Sequence, residues 1–337
     1  FNRNMYREDN HQLDFHSNLL EQLVPENHTY RKLLKLVDFK TLSEEIKDSY
    51  SEKGRKSAYS IESSFKILVL QQAEDYSDRE MERFLKENNC AKYFCGFGLL
   101  DSTPDHSFFG KFRQRVGVDR ITKIFNKVVE SSRSQNIVSD CFTFIDATAV
   151  ISKANLWEER DKALSDKEKT LNNENVEKYS ADPNARIGCK GSNKYWYGYK
   201  RSHAVDIKHG IIKAIDVAPA NPTDDQRGVN ILPPSGMVLA DKGYDTEEFQ
   251  TALSEKGLHS GVIQKNNRKS KNKDLDQWLT KLRNPFEGLF NHADKCVRYI
   301  RGIDKVTFHQ TLDALAQNFK TLLNIEPLLL KQGIRVS

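Results

Sequence analysis

No apolar stretch in the 337 residues approaches the roughly 18 needed to cross a bilayer, and no secretory leader is read at the start. A membrane-spanning or exported protein is therefore not expected. The chain opens at Phe1, from which a lost or trimmed initiator residue is expected. Cysteine is scarce: Cys90, Cys95, Cys141, Cys189 and Cys296 form no CxxC set. Their spacing argues against a zinc site, and their odd number against a disulfide framework. A reducing cytoplasm is the expected setting. Charge of one sign is also missing. Fifty-two basic residues stand against 47 acidic ones, and a net charge of +5 names no partner by itself. Internal repeats and low-complexity segments are absent. A composition 38% hydrophobic and 29% charged is that of a globular chain with a polar exterior, long enough for about two domains.

Three carboxylates stand out against this background. Cys141-Phe142-Thr143-Phe144-Ile145-Asp146 reads as a buried strand ending in an aspartate. Gly236-Met237-Val238-Leu239-Ala240-Asp241 repeats the arrangement 95 residues later. Glu287 follows after 46 more, in a stretch read as helical although Pro285 should kink or begin the helix there. An ionised carboxylate beside an apolar strand is costly unless compensated. Three converging would pin divalent cations, and oxygen ligands suit Mg²⁺ or Mn²⁺. Asp245, Glu247, Glu248 and Glu255 compete for the third place. Only Glu287 has an arginine, Arg283, one helical turn earlier, and the same spacing also describes a plain surface ion pair.

Basic residues gather in two runs. Ala181–His203 carries five against Asp182, and Gln264–Arg283 carries seven, including Arg268, Lys269 and Lys271, against Asp274 and Asp276. Around a carboxylate cluster such runs favour a polyanionic substrate, although either is equally described as solvated surface. Aromatic residues at Tyr195, Trp196, Tyr197 and Tyr199 interleave with the first run, a pattern that suits base stacking or core packing.

Two periodicities divide the chain. Residues 1–135 read as an all-α domain. Ser63–Leu70 is dense enough for a buried helix, Ser77 and Glu80 form a capping box, and Ser102-Thr103-Pro104-Asp105 opens a helix with Phe108, Phe109 and Phe112 inward. Lys111, Arg113 and Arg115 face outward on it, so a helix-turn-helix with a DNA-reading second helix and an ordinary packed bundle are both open. Residues 136–337 read as an α/β domain with a charged insertion at about 151–200. Its strands are Cys141–Asp146, His203–Gly210 and Ile211–Val217 joined by a turn at His209-Gly210, then Gly236–Asp241 and a short strand at Gly261–Ile263. Helices are expected over 279–301 and 307–323. Three antiparallel strands followed by alternating helices and strands describe an α/β sheet of the ribonuclease-H type.

At this point the chain resembles the bacterial insertion-sequence transposases of the DDE type, in the broad group around insertion sequences four and five. The matching stretches are Phe144-Ile145-Asp146-Ala147-Thr148, Gly198-Tyr199-Lys200 with His203 and Asp206, Pro219-Ala220-Asn221 with Asp224, Ala240-Asp241-Lys242-Gly243-Tyr244, and Arg283 with Glu287. Ser102–Ser107 with Phe112-Arg113 resembles their helical N-terminal domain. Thr280 and Asp294 stand where that family usually has a tyrosine and a lysine, with Lys295 one place late. The resemblance implies a DNA transposase that cuts and joins DNA at terminal inverted repeats. Asp146, Asp241 and Glu287 would bind two Mg²⁺ ions, with Mn²⁺ as substitute. Lys200, His203, Lys242 and Arg283 would contact phosphates, beside Arg113, Arg268, Lys269 and Lys271. The implied partners are double-stranded DNA ends and target DNA, engaged by a homodimer. A structure-specific nuclease without strand transfer shares all three carboxylates, and an inert transposase-derived DNA-binding protein is the non-enzymatic alternative.

Overall fold

A computed structural model describes residues 15–50, 57–152, 156–191, 194–268, 271–284 and 300–337. The chain divides into two units, Phe1–Gln135 with Thr311–Ser337, and Asn136–Gln310.

The first unit is helical: α1 (Phe15–Leu23), α2 (Thr29–Leu36), α3 (Phe39–Ser43), α4 (Ile61–Glu74), α5 (Asp78–Glu87), α6 (Asn89–Cys95) and α7 (His106–Ser134). Helix α4 buries nearly every residue from Ile61 to Gln71, as its apolar density requires. The Ser60 hydroxyl caps it by accepting from the Ser63 amide at 2.9 Å. Helix α5 opens with the expected Ser77–Glu80 capping box and buries Met81 and Leu85. The bundle closes around Phe39, whose ring lies 6.1 Å from Phe65, 5.4 Å from Phe94 and 5.6 Å from Phe319.

Two sequence expectations change here. The helices over Ser77–Glu87 and from Asp105 are not joined by one turn, because Asn88 caps an intervening helix, α6, through the Ala91 amide. The residues from Thr311 onward, expected with the sheet, belong to the helical unit. Leu312, Leu315, Phe319 and Leu322 are buried there, and Val336 bridges Val37.

The second unit is a six-stranded sheet: β1 (Phe142–Ile151), β2 (Arg186–Lys190), β3 (Lys194–Asp206), β4 (Ile212–Pro219), β5 (Met237–Ala240) and β6 (His259–Val262). The strand path runs β2-β3-β1-β5-β6, with β4 also paired to β3. Strand β3 is antiparallel to β1, β2 and β4, whereas β1, β5 and β6 run parallel. The hairpin turn falls at His209-Gly210 as read, since Asp206 and Ile212 bound it. Strand β1 does not stop at Asp146. Ala147–Ile151 continue it by pairing with Gly198–Ser202, so the long β3 templates five more residues than the apolar run suggested.

Between β1 and β3, where the sequence reads a charged insertion, lie α8 (Leu156–Ser165), α9 (Val176–Tyr179) and strand β2, and β3 itself begins inside the read bounds. Helices α10 (Asp224–Gly228) and α11 (Glu247–Glu255) flank β5 in sequence. Helix α12 (Lys273–Arg283) begins earlier than the read 279, because Asn272 caps it through the Leu275 amide. Helix α13 (Ile303–Asn324) and α14 (Glu326–Lys331) follow.

Alternation along β1 puts Ile145 on one face of the sheet and Phe144, Asp146 and Thr148 on the other. The Ile145 face is the apolar one, packed with Ala204, Ala240, Tyr244, Phe249 and Leu253. Opposite lies the Arg283 guanidinium, 5.0 Å from the Phe144 ring centroid, which places the end of α12 over the Asp146 face.

Candidate active site

Parallel pairing sets Phe142 beside Met237, Thr143 beside Val238 and Phe144 beside Leu239. The same sequence offset separates Asp146 from Asp241, so the register carries Asp241, just past the end of β5, towards Asp146, and its charge acts on the Asp146 carboxyl. Asp241 directly follows β5 and caps the short helical turn Lys242–Tyr244, its Oδ1 accepting from the Gly243 amide at 2.8 Å. The Asp146 Oδ1 accepts from the Ala147 amide at 2.8 Å. Burial, reinforced by the Asp241 charge, pushes the Asp146 carboxyl up to about 6, against the opposing pull of Arg283 and Lys190. Tyr244 completes this corner with no exposed surface. Burial and then the charges of Asp146, Asp224, Asp241 and Asp225 hold its phenol far above the usual range.

The third carboxylate of the sequence reading, Glu287, lies outside the described residues, as does Lys269. Among the described residues no three His, Cys, Asp or Glu side chains are grouped to hold a metal. Asp245, the main competitor, is committed elsewhere. It receives the Arg268 guanidinium at 2.9 and 3.0 Å and the Lys265 amide at 2.8 Å, and Arg268 holds its carboxyl below the usual range. Glu247, Glu248 and Glu255 are exposed on α11.

The cations read as phosphate contacts divide sharply. Lys242 is exposed beside Asp241, and Arg283, from the end of α12, acts on the Asp146 carboxyl. Lys200 is buried, bonded to Asp224 at 2.6 Å and to the Pro222 carbonyl at 2.7 Å. His203, opposite Asp146 in the register, is buried and kept neutral by that burial and by Arg201. Arg113 grips the Asp78 carboxylate at 2.9 and 2.6 Å and Gln71 at 3.1 Å. Arg268 is paired with Asp245, and Lys271 with Asp276 at 3.3 Å. Lys200, His203 and Arg113 thus support the fold, since a desolvated or doubly bonded side chain has little left to offer a phosphate. Arg113→Met should cost about 1–2 kcal/mol in the denaturant unfolding of the helical unit while leaving DNA affinity unchanged. A drop in affinity with no loss of stability would return Arg113 to the DNA surface.

The aromatic run is mainly structural. The Tyr199 and Tyr197 hydroxyls donate to the Asp182 carboxylate and carbonyl, each at 2.7 Å, and the Trp196 indole donates to the Tyr199 carbonyl at 3.1 Å. Tyr195 stays 68% exposed. The sequence reading named neither Tyr244 as a buried neighbour of the aspartates nor Lys200–Asp224 as an ion pair. Tyr244 stands in the Asp241-Lys242-Gly243-Tyr244 run, where the turn after the strand was the available signal.

A helical unit and a mixed α/β sheet that carries Asp146 and Asp241 on neighbouring segments define an α/β protein with a candidate carboxylate site. The chain belongs to the transposase DDE domain family, whose model matches residues 141–324. Residues 18–115 match a second model, described as a transposase domain (DUF772). A curated relative, the transposase for insertion sequence element IS1106 of Neisseria meningitidis serogroup B, is 30% identical over 159 residues. The match covers 43% of this chain and 54% of the relative, so the chain spans about half the length of that protein. Among solved structures, a piggyBac transposase synaptic complex with hairpin DNA matches with a TM-score of 0.40 and 11% identity, over 96% of this chain and 77% of that one.

Proposed function

We propose that the protein is a DNA transposase that cuts and joins DNA at the terminal inverted repeats of an insertion sequence, on a ribonuclease-H-like sheet. The observation that carries this reading is the approach of Asp146, on β1, and Asp241, just past the end of the neighbouring parallel strand β5, in a chain of the transposase DDE domain family. The pairing of β4 with β3, of β3 with β1, and then of β1, β5 and β6 in parallel, three antiparallel strands followed by parallel ones, supports the fold assignment.

Two neighbouring carboxylates, one of them half-buried and raised by desolvation and then by the other's charge, form a set of hard oxygen donors that a divalent cation would relieve of its repulsion. Asp146 and Asp241, with Glu287 as third ligand, would hold Mg²⁺, and Mn²⁺ in its place. When bound, such ions supply Lewis-acid stabilisation of charge on the phosphate and a water acidic enough to attack it. The protein's own part is positional. The Ala147 and Gly243 amides each fix one carboxylate oxygen, and the second oxygen of each aspartate would be the one to serve as a metal ligand. Arg283 and Lys242 bring positive charge to the same corner, where a phosphodiester would bind. DNA ends and target DNA are the partners this chemistry needs, with a homodimer to hold two ends together.

Incubating the protein with Mg²⁺, a duplex carrying the ends of the flanking element and a plasmid target tests the reading. Cuts at the element ends, followed by joining of the freed 3′-hydroxyls to the plasmid, are expected. Cutting without joining would make it a nuclease, and binding without cutting an inert DNA-binding protein. In the same assay Glu287→Gln should remove cleavage, whereas Glu255→Gln on the exposed end of α11 should leave it intact. Full activity of Glu287→Gln would remove this residue from the site.

A further inference from the structure

We propose that the open groove beside α12 is the track along which one DNA strand's phosphate backbone reaches the aspartate pair, with Lys273 and Lys281 as its contacts. This rests on the reading of the chain as a DNA-processing enzyme, and it assigns the substrate a path. The groove has a volume of about 750 Å³, ample for a nucleotide-sized group. Its lining includes Ile263, Asn266, Lys271, Lys273, Asp276 and Lys281. Asp276, the wall's one acid, is buried and neutralised by Lys271, and its Oδ1 accepts from the Gln264 amide at 3.2 Å. Lys271 is itself spent on the Gln264 carbonyl at 3.0 Å and the Asn266 amide oxygen at 2.8 Å. Lys273 and Lys281 are exposed and make no ion pair or hydrogen bond among the described residues. Among the described residues the groove therefore presents two positive charges that no carboxylate is paired with.

Their spacing fits a strand. Eight residues apart on one helix, they share a face and lie about 12 Å apart along its axis. Strand phosphates advance about 3.4 Å per nucleotide along a duplex, so the pair spans three to four nucleotides. The direction fits as well. Helix α12 ends at Arg283, whose guanidinium stands over Phe144 and acts on Asp146. The other wall, Ile263, follows β6 and donates its amide to the Ala240 carbonyl, next to Asp241, at 3.1 Å. Both walls of the groove thus lead to the aspartates.

The test is the salt dependence of duplex DNA binding, followed by fluorescence anisotropy in Ca²⁺ so that no strand is cut. Two phosphate contacts contribute about 1.8 to the slope of log affinity against log salt. The Lys273→Gln/Lys281→Gln double variant should lose about that much slope, and on the order of tenfold or more in affinity at 0.1 M salt. A Lys169→Gln/Lys256→Gln variant, which removes two exposed lysines elsewhere, should keep the wild-type slope, and circular dichroism should be the same for all three proteins. If wild type shows a steep slope and the groove variant retains it, the track is wrong while the DNA-processing reading stands. If wild type binds no DNA at all, both fall together. Equal loss in the two double variants would also overturn the track, because the effect would then be net charge alone.

Discussion

Asp146→Asn is expected to stop strand cleavage while making the metal-free protein more stable. The two effects share one cause. Asp146 sits in the middle of β1 with its carboxyl pushed up to about 6 by burial and by the Asp241 charge, from an ordinary value of 3.8. A carboxyl raised in the folded state favours folding when protonated. Its contribution is complete below about pH 4 and is lost as pH rises through 6. At pH 7.5 without divalent ions the ionised group therefore costs stability, on the order of 3 kcal/mol. Asparagine keeps the shape, and its carbonyl oxygen can accept from the Ala147 amide as Oδ1 does, without the charge. In EDTA the variant should melt above wild type at pH 7.5, and the gap should shrink towards pH 4. Cleavage in Mg²⁺ should fall at least 1,000-fold, about 4 kcal/mol, with DNA binding nearly intact. Asp241→Asn should lose cleavage to a similar degree. Cleavage within tenfold of wild type would show that the aspartates do other work.

The second large effect is on the fold that presents Asp241. Gly236→Ala should destabilise the sheet unit by about 3 kcal/mol or more. Gly236 has φ +92°, in the region that costs an L-residue roughly 1–2 kcal/mol. A β-carbon there would also stand 1.9 Å from the Asp140 carbonyl oxygen, a backbone atom with little room to yield. The position starts β5: Met237 donates to the Cys141 carbonyl at 2.9 Å, and the Gly236 carbonyl accepts from His259 at 2.9 Å. Displacement would loosen both neighbours of the strand that ends at Asp241. Gly257 supplies the comparison, since it has φ +66° and open space around its β-carbon position. Gly257→Ala should cost only the conformational strain, about 1 kcal/mol. Thermal melts should place Gly236→Ala roughly 10 °C below wild type and clearly below Gly257→Ala. Equal losses in the two variants would mean that the close approach to Asp140 relaxes freely.

Much of this was legible in the sequence, and the limits have physical reasons. Apolar runs bounded by turn residues gave the strands at 142 and 237, the hairpin at His209-Gly210, and β6 two residues late, as Gly261–Ile263 against the observed His259–Val262, because strand formation there depends on local pattern. The capping box at Ser77 is equally local. The far end of β1 was not legible, since Ala147–Ile151 extend only because β3 lies alongside. Pairing between Asp146 and Asp241 could be suspected from two similar runs, but their approach is set by the register of β1 on β5. The fate of individual cations was least legible. Among the described residues, Lys200, Arg113 and Arg268 differ from Lys242, Lys273 and Lys281 only in whether a carboxylate from a distant part of the chain, Asp224, Asp78 or Asp245, reaches them. Residue type and spacing along the chain carry no trace of such partners. Asp245 shows the same point from the acidic side: its place after β5 made it a rival ligand, and Arg268 removes it.

The central claim is that Asp146 and Asp241 together form a divalent-metal centre. Titrating the protein with Mn²⁺ and reading the free ion by electron paramagnetic resonance tests it directly. Wild type should take up Mn²⁺ in competition with Mg²⁺, and the Asp146→Asn/Asp241→Asn double variant, still folded, should leave the ion free in solution. Equal uptake by both proteins would contradict the account.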